Sequence, residues 1–164
     1  MMNTHDDDCY RMNAEPHVLK RGKAFHKHVQ KEWNDTINDG EPHNEKSIEK
    51  LSGRGGRIDV FVDGMDELYS VVEIKSTNWD RIKPENISRN VRRHIRQIFD
   101  YVDAVMHKKD VGVSPGVVYP SLPSDQAVLD KIEAMFNEEG IQVVWQNESM
   151  EALRIRAAQK EASK

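Results

Sequence analysis

The chain has 164 residues, enough for one domain with its own core, of which 37% are apolar and 32% charged, with a formal net charge of −4. A single cysteine, Cys9, excludes a disulfide framework, a cysteine-based zinc site and a four-cysteine iron–sulfur cluster. No apolar run has the length of a membrane span and no signal peptide is visible, so a cytoplasmic location is expected; the negative balance argues against coating nucleic acid by bulk charge but allows a local basic groove.

Residues 1–16 open with Met-Met-Asn-Thr-His-Asp-Asp-Asp, show no periodicity, and are expected to be a mobile tail ending at Pro16. Residues 17–160 are expected to form one domain. A first helix is predicted over 17–35, where Val18, Phe25, Val29 and Trp33 recur at helical spacing. Gly22 and His26 stand one turn apart at the edge of that stripe. A helical glycine costs about 1 kcal/mol relative to alanine, and close approach to another backbone is one reason to keep it. His26 reads either as a packed imidazole or as a metal ligand.

Residues 36–56 read as loop, broken at Asn38-Asp39-Gly40 and Gly53-Arg54-Gly55-Gly56, with a short edge strand over 47–52. The glycine-rich piece lacks the spacing and lysine of a P-loop and reads as a turn.

Residues 57–77 carry the signature of a β-hairpin: two runs rich in Val and Ile around Gly64-Met65-Asp66-Glu67. Strand side chains alternate faces, so Glu73 and Lys75 share one face and Val72 and Ile74 the other. A turn centred near Met65 and Asp66 puts Asp59 opposite residues 71–73. Asp59, Glu73 and Lys75 are therefore expected on one patch of sheet. Such a Glu-x-Lys pair can be a solvated face. Within apolar strands, however, two carboxylates and an ammonium are expensive to desolvate unless something pairs them, and a divalent cation would do so.

A connection containing Trp79 and Pro84 leads to a long helix over about 86–108. Its buried stripe is Ile87, Val91, Ile95, Ile98, Phe99, Val102 and Val105, flanked by Arg93, Gln97 and Tyr101 at i, i+4, i+8, with His94 beside them. Arg81, Lys83, Arg89, Arg92, Arg93 and Arg96 face a single acid, Glu85, within residues 81–96. That row is either a solvated helix face or a phosphate-contacting patch, and Arg89, Arg92, Arg93 and Arg96 are the candidate nucleic-acid contacts. A strand over 116–119, a helix capped by Ser124 and ended by Gly140, a strand over 141–145 and an amphipathic helix over about 150–158 carrying Leu153 and Ile155 complete the chain. The order implies an α/β fold: a mixed central sheet with helices on both faces.

Taken together these residues resemble the PD-(D/E)XK nuclease superfamily, whose restriction-endonuclease-like core runs αβββαβ; here it would carry a C-terminal αβα extension. Asp59 and Glu73-Ile74-Lys75 resemble its metal-binding and catalytic motif. Gly22-Lys23-Ala24-Phe25-His26 is similar to the G-x-x-x-H motif of the RecB-type branch, and Gln97-Ile98-Phe99-Asp100-Tyr101 to its Q-x-x-x-Y motif. The resemblance covers roughly residues 20–120 and implies a metal-dependent nuclease, with His26, Asp59, Glu73 and the main-chain oxygen of Ile74 as metal ligands. It implies catalytic-site roles for Asp59, Glu73, Lys75, Gln97 and Tyr101. The iron–sulfur cluster of the CRISPR-associated members is excluded by the single cysteine.

Phosphodiester hydrolysis needs an activated water and stabilisation of charge on phosphate oxygens. Mg²⁺ or Mn²⁺ at Asp59 and Glu73 is expected to supply both, and an imidazole ligand suits Mn²⁺. Lys75 would orient the water or stabilise the transition state, and Gln97 and Tyr101 would position Lys75 and the phosphate. The expected partner is DNA. Other readings are a toxin nuclease delivered to another cell's cytoplasm and held by an immunity protein, a nuclease directed by a targeting protein, a junction resolvase, a phage- or plasmid-borne exonuclease, and a non-catalytic binding module on the same fold. RNA in place of DNA, exonuclease against endonuclease and a homodimer all stay open.

Overall fold

The computed structural model describes residues 17–36, 41–63, 68–109 and 112–164. The expected tail, 1–16, the Asn38-Asp39-Gly40 breaker, the hairpin turn at 64–67 and the Val18 and Trp33 side chains lie outside the described residues.

The elements run α1 (His17–Thr36), β1 (Glu41–Glu49), β2 (Gly55–Asp63), β3 (Leu68–Ile74), α2 (Pro84–Lys109), β4 (Gly112–Tyr119), α3 (Gln126–Glu138), β5 (Gln142–Trp145) and α4 (Met150–Ala162), with a 3-10 turn at Trp79–Arg81 before α2. This is the expected αβββαβ order followed by αβα. The strands form one mixed sheet in the order β1-β2-β3-β4-β5. The first three are antiparallel neighbours, and the helical crossovers α2 and α3 make β3–β4 and β4–β5 parallel.

Alternation along the strands splits the core into two layers. Val60, Val62, Val72, Ile74 and Val118 turn to one face and pack with Val29 and Phe25 of α1. Phe61, Val71, Val117 and Tyr119 turn to the other face and pack with Val91, Ile98, Val102 and Val105 of α2 and Ile132 and Phe136 of α3. In the α2 stripe Ile95 and Phe99 are half-buried and the other members buried.

Several expectations are corrected. The loop reading of 36–56 gives way to a nine-residue edge strand, β1, paired along β2 from Glu41↔Asp63 to Glu49↔Gly55. Its proline, Pro42, is tolerated because an edge strand leaves one row of N–H groups without a ladder partner. Within Gly53-Arg54-Gly55-Gly56 the turn at Gly53, φ +80°, keeps the breaker role, and Gly55 and Gly56 begin β2. β4 starts four residues earlier than expected, at Gly112. The α3 N-cap is Asp125, whose carboxylate accepts from the Ala127 and Val128 N–H groups, whereas the Ser124 hydroxyl donates to Asp80.

The amphipathic reading of α4 also fails. Leu153 and Ile155 are 40% and 54% exposed, and no α4 residue is buried. Polar contacts attach it instead. Arg156 donates to Glu133 of α3 at 2.8 Å and to both oxygens of Glu148 at 2.7 and 2.9 Å, while the Trp145 indole donates to Glu133 at 3.0 Å. Burial alone would raise the Glu133 pKa, but the hydrogen bonds from Arg156 and Trp145 outweigh it and hold the carboxyl below its ordinary 4.5. A depressed carboxyl contributes stability above its unfolded pKa and loses it as pH falls through the folded one. Arg156→Ala is therefore expected to destabilise the protein by about 2–3 kcal/mol, less than a fully buried pair because the side chain stays 21% exposed. It is also expected to flatten the fall in melting temperature below pH ~4.5. Urea melts at pH 7 and thermal melts from pH 3 to 7 measure both.

Candidate active site

The site residues come from two strand ends and the two helices that cover them. The register Val60↔Val72 and Phe61↔Val71 sets Asp59 across from Glu73, as the hairpin predicted. One Asp59 carboxylate oxygen accepts the main-chain N–H of Ile74 at 2.8 Å, which extends the β2–β3 ladder through a side chain. The other lies 3.6 Å from Nδ1 of His26, too far for a hydrogen bond. Gln30, one turn after His26, donates to the Asp59 main-chain oxygen at 3.0 Å and fixes α1 against this strand.

Gly22 lets the helix come down here. A Cβ at that position would lie 3.2 Å from the Ser76 hydroxyl. The close approach is thus to a side chain just past β3, where the sequence raised approach to a backbone.

Glu73 is 2% exposed. Its Oε2 accepts from Lys75 Nζ at 3.1 Å and from Gln97 Nε2 at 3.3 Å, and Gln97 Oε1 accepts from Lys75 at 2.6 Å. Its Oε1 is buried with no hydrogen-bond partner. Burial, and then the charge of Asp59, push the Glu73 pKa from 4.5 to about 7. A carboxylate in that state is under-satisfied by one donor or one cation.

That orphaned oxygen is the observation against which a metal can be tested. Among the described residues no three His, Cys, Asp or Glu side chains already converge as a metal cage. The donors on hand are oxygen-rich: Glu73 Oε1, the Asp59 oxygen facing His26, and main-chain oxygen at the end of β3, with the His26 imidazole at the edge. Such a set, open on one side, suits a hard divalent cation that keeps several waters. The residues present fit Mg²⁺ or Mn²⁺.

Tyr101, 5% exposed, closes the other side. It shares hydrogen bonds with Gln97 and with the Arg57 main chain; burial, then the Glu73 charge, raise its pKa, so it stays a neutral phenol. Its ring lies over Gly56, where a Cβ would come within 2.7 Å of Cε1. Any larger residue at 56 must displace a buried ring, so Gly56 is a site-shaping residue that sequence reasoning took for part of a turn. His94 is also buried; its Nδ1 pairs with the Tyr119 hydroxyl at 2.7 Å, and burial, then the Lys75 and Arg93 charges, lower its pKa to about 4. It is a neutral strut behind the site.

The basic row borders two hollows. Arg89, Arg92 and Arg96 recur at i, i+3, i+7 and border one with Ile95 and Glu139. Arg93, one turn after Arg89, lines the other, a cleft that also holds Gly22 and Ser76 beside the candidate site. Of the four, only Arg93 shares a cleft with residues next to Lys75.

No protein-family model and no curated protein matches the sequence. Among solved structures the chain is similar to a repair endonuclease from Pyrococcus abyssi, at 23% identity and a TM-score of 0.46, over 75% of this chain and 46% of that one. The chain thus spans less than half the length of that protein. No helix among the described residues is long and apolar enough to cross a membrane.

Proposed function

We propose that the chain is a metal-dependent nuclease that hydrolyses phosphodiester bonds in DNA, with Mg²⁺ or Mn²⁺ as cofactor. The observation that carries this reading is the buried Glu73 carboxylate, with one oxygen unpartnered beside Asp59 and the other held by Lys75 and Gln97. Two carboxylates so close in a desolvated pocket are costly without a cation.

Asp59, Glu73, His26 and the main-chain oxygen of Ile74 would hold the cation, which when bound polarises a phosphoryl oxygen and lowers the pKa of a water. Lys75 spends two of its three donors on Glu73 and Gln97 and aims the third at the attacking water or a phosphate oxygen. The water gives up a proton to solvent as its oxygen bonds to phosphorus and the bridging P–O bond breaks, and the leaving oxygen takes up a proton from solvent. Gln97 and Tyr101 hold Lys75 in place from α2.

Incubation with circular DNA, linear DNA and RNA, with and without Mg²⁺ or Mn²⁺, tests the reading. Metal-dependent cleavage abolished by EDTA is expected, and nicking of the circle identifies an endonuclease. Cleavage that survives EDTA sinks the metal mechanism, and no cleavage with either metal sinks the nuclease.

A further inference from the structure

Past Lys75 the chain leaves the sheet and borders a cleft of about 480 Å³ between α1, the 3-10 turn and the first half of α2. That volume falls within the roughly 300–1,000 Å³ of small-molecule sites. Its walls differ in chemistry. Arg81 and Arg93 supply cationic groups, with the Ser76 and Thr77 side chains between them and the candidate site; Phe25, Ile82 and Pro120 supply an apolar side.

The cationic wall is unneutralised, and the backbone that carries it is fixed. Arg93 donates to the neutral amide of Asn90 at 3.0 Å, and neither arginine pairs with a carboxylate among the described residues. Arg81 ends a turn that is fixed on three sides. The Asn78 side chain accepts from the Asp80 N–H, the Asp80 carboxylate accepts from the Ser124 N–H and hydroxyl at 2.9 and 3.0 Å, and Trp79 is 2% exposed. Two guanidiniums without a carboxylate partner, carried on fixed backbone, suit an oxyanion, because only their side chains have still to be ordered when the ligand arrives. The half-buried ring of Phe25 and the aliphatic surfaces of Ile82 and Pro120 suit the face of a planar ring.

The cleft also lies next to the proposed chemistry. Ser76 follows Lys75, and Gly22, which packs closely on Ser76, stands one helical turn before His26. The geometry points to a subsite for one unpaired nucleotide flanking the scissile phosphate, with its phosphate on Arg81 and Arg93 and its base against Phe25, Ile82 and Pro120. This rests on the nuclease reading for its role and names the substrate class: a base lodged in the cleft has left its partner, so single strands and frayed ends are favoured over intact duplex.

Calorimetric titration of the full chain in EDTA with deoxyadenosine 5′-monophosphate, deoxyadenosine and inorganic phosphate provides the test. The monophosphate is expected to bind at least ~10-fold more tightly than either fragment, and Arg81→Ala/Arg93→Ala to lose at least ~10-fold of that affinity, as two charge-assisted contacts imply. Arg92→Ala, which removes a cation from the separate hollow bordered by Ile95 and Glu139, is expected to bind it as the native chain does. Equal affinity in the Arg81/Arg93 variant, equal loss in the control, or phosphate binding as tightly as the nucleotide each overturns the subsite. Nucleotide binding that depends on Arg81 and Arg93, with no DNA cleavage in any metal, leaves the subsite standing and removes the nuclease. Cleavage that ignores Arg81 and Arg93, and is no faster on single strands than on duplex, does the reverse.

Discussion

Glu73→Gln is expected to lower DNA cleavage by about a thousandfold or more and to remove the rise in melting temperature that Mg²⁺ or Mn²⁺ gives the native protein. The rate follows from losing several kcal/mol of charge stabilisation, each ~1.4 kcal/mol being a factor of ten. The thermal effect follows from mass action. A cation that binds only the folded chain stabilises it by about 2.7 kcal/mol at a hundred times its Kd. Of the proposed ligands, Glu73 would depend most on that cation: it is buried, one oxygen has no partner, and burial with the Asp59 charge already pushes its pKa to about 7. The substituted amide would keep the shape and an acceptor for Lys75 while removing the charge. Asp59→Asn should behave similarly: its amide oxygen can still accept the Ile74 N–H, which leaves the amide nitrogen in place of the oxygen that faces His26. His26→Ala should weaken Mn²⁺ affinity and leave cleavage at saturating metal nearer to native, since the imidazole lies at the rim, 30% exposed. Native-like cleavage by Glu73→Gln, or undiminished thermal stabilisation by metal, would remove Glu73 from the site.

What the sequence disclosed follows from which interactions are local. Alternation with period two put Val72 and Ile74 on the α1 face and Glu73 and Lys75 on the α2 face, and the hairpin length aligned Asp59 with Glu73. Gln97 and Tyr101 were legible because i, i+4 on α2 keeps them on one side of a long apolar stripe. β1 was legible only at its end, where the edge strand expected over 47–52 overlaps it at 47–49: Glu41-Pro42-His43-Asn44-Glu45-Lys46-Ser47-Ile48-Glu49 holds one aliphatic residue, and its strand form comes from pairing along β2 rather than from its own pattern. Gly56 was not legible, since the ring it accommodates belongs to a residue 45 positions later (101 − 56). The same holds for α4, where Leu153 and Ile155 mimic a buried stripe while Arg156 makes the attachment through Glu133 and Glu148.

The arginines of α2 show how composition and geometry part. Counted along the chain they form one row; in space Arg93 lines the cleft beside the site, and Arg89, Arg92 and Arg96 line a separate hollow with Glu139. A helix turns 100° per residue, so adjacent cations such as Arg92 and Arg93 need not serve one ligand. Loss of Arg93 and loss of Arg92 should therefore separate in any binding measurement.

Lys75→Met is expected to lower kcat by about 100- to 1,000-fold, the loss seen when one preorganised donor to a developing oxyanion is removed, and to keep the thermal stabilisation by Mn²⁺. The two readouts part because Lys75 touches the Glu73 oxygen that is already satisfied, Oε2, and leaves Oε1 free for a cation. Metal binding in this variant should even tighten, since an ammonium 3.1 Å from the carboxylate competes with a cation for its charge. Gln97 acts through Lys75. Its carbonyl oxygen takes the lysine at 2.6 Å and its amide nitrogen steadies Glu73 at 3.3 Å, so Gln97→Leu frees the ammonium to swing toward the carboxylate alone. That variant should lose about tenfold in kcat with little change in KM, the pattern of an interaction made in the transition state and not in substrate binding. Steady-state kinetics on single-stranded DNA, with melts in EDTA and in Mn²⁺, measure both variants. A Lys75→Met protein that cleaves at the native rate removes the lysine from the chemistry. A Gln97→Leu protein that raises KM and spares kcat assigns Gln97 to the DNA instead.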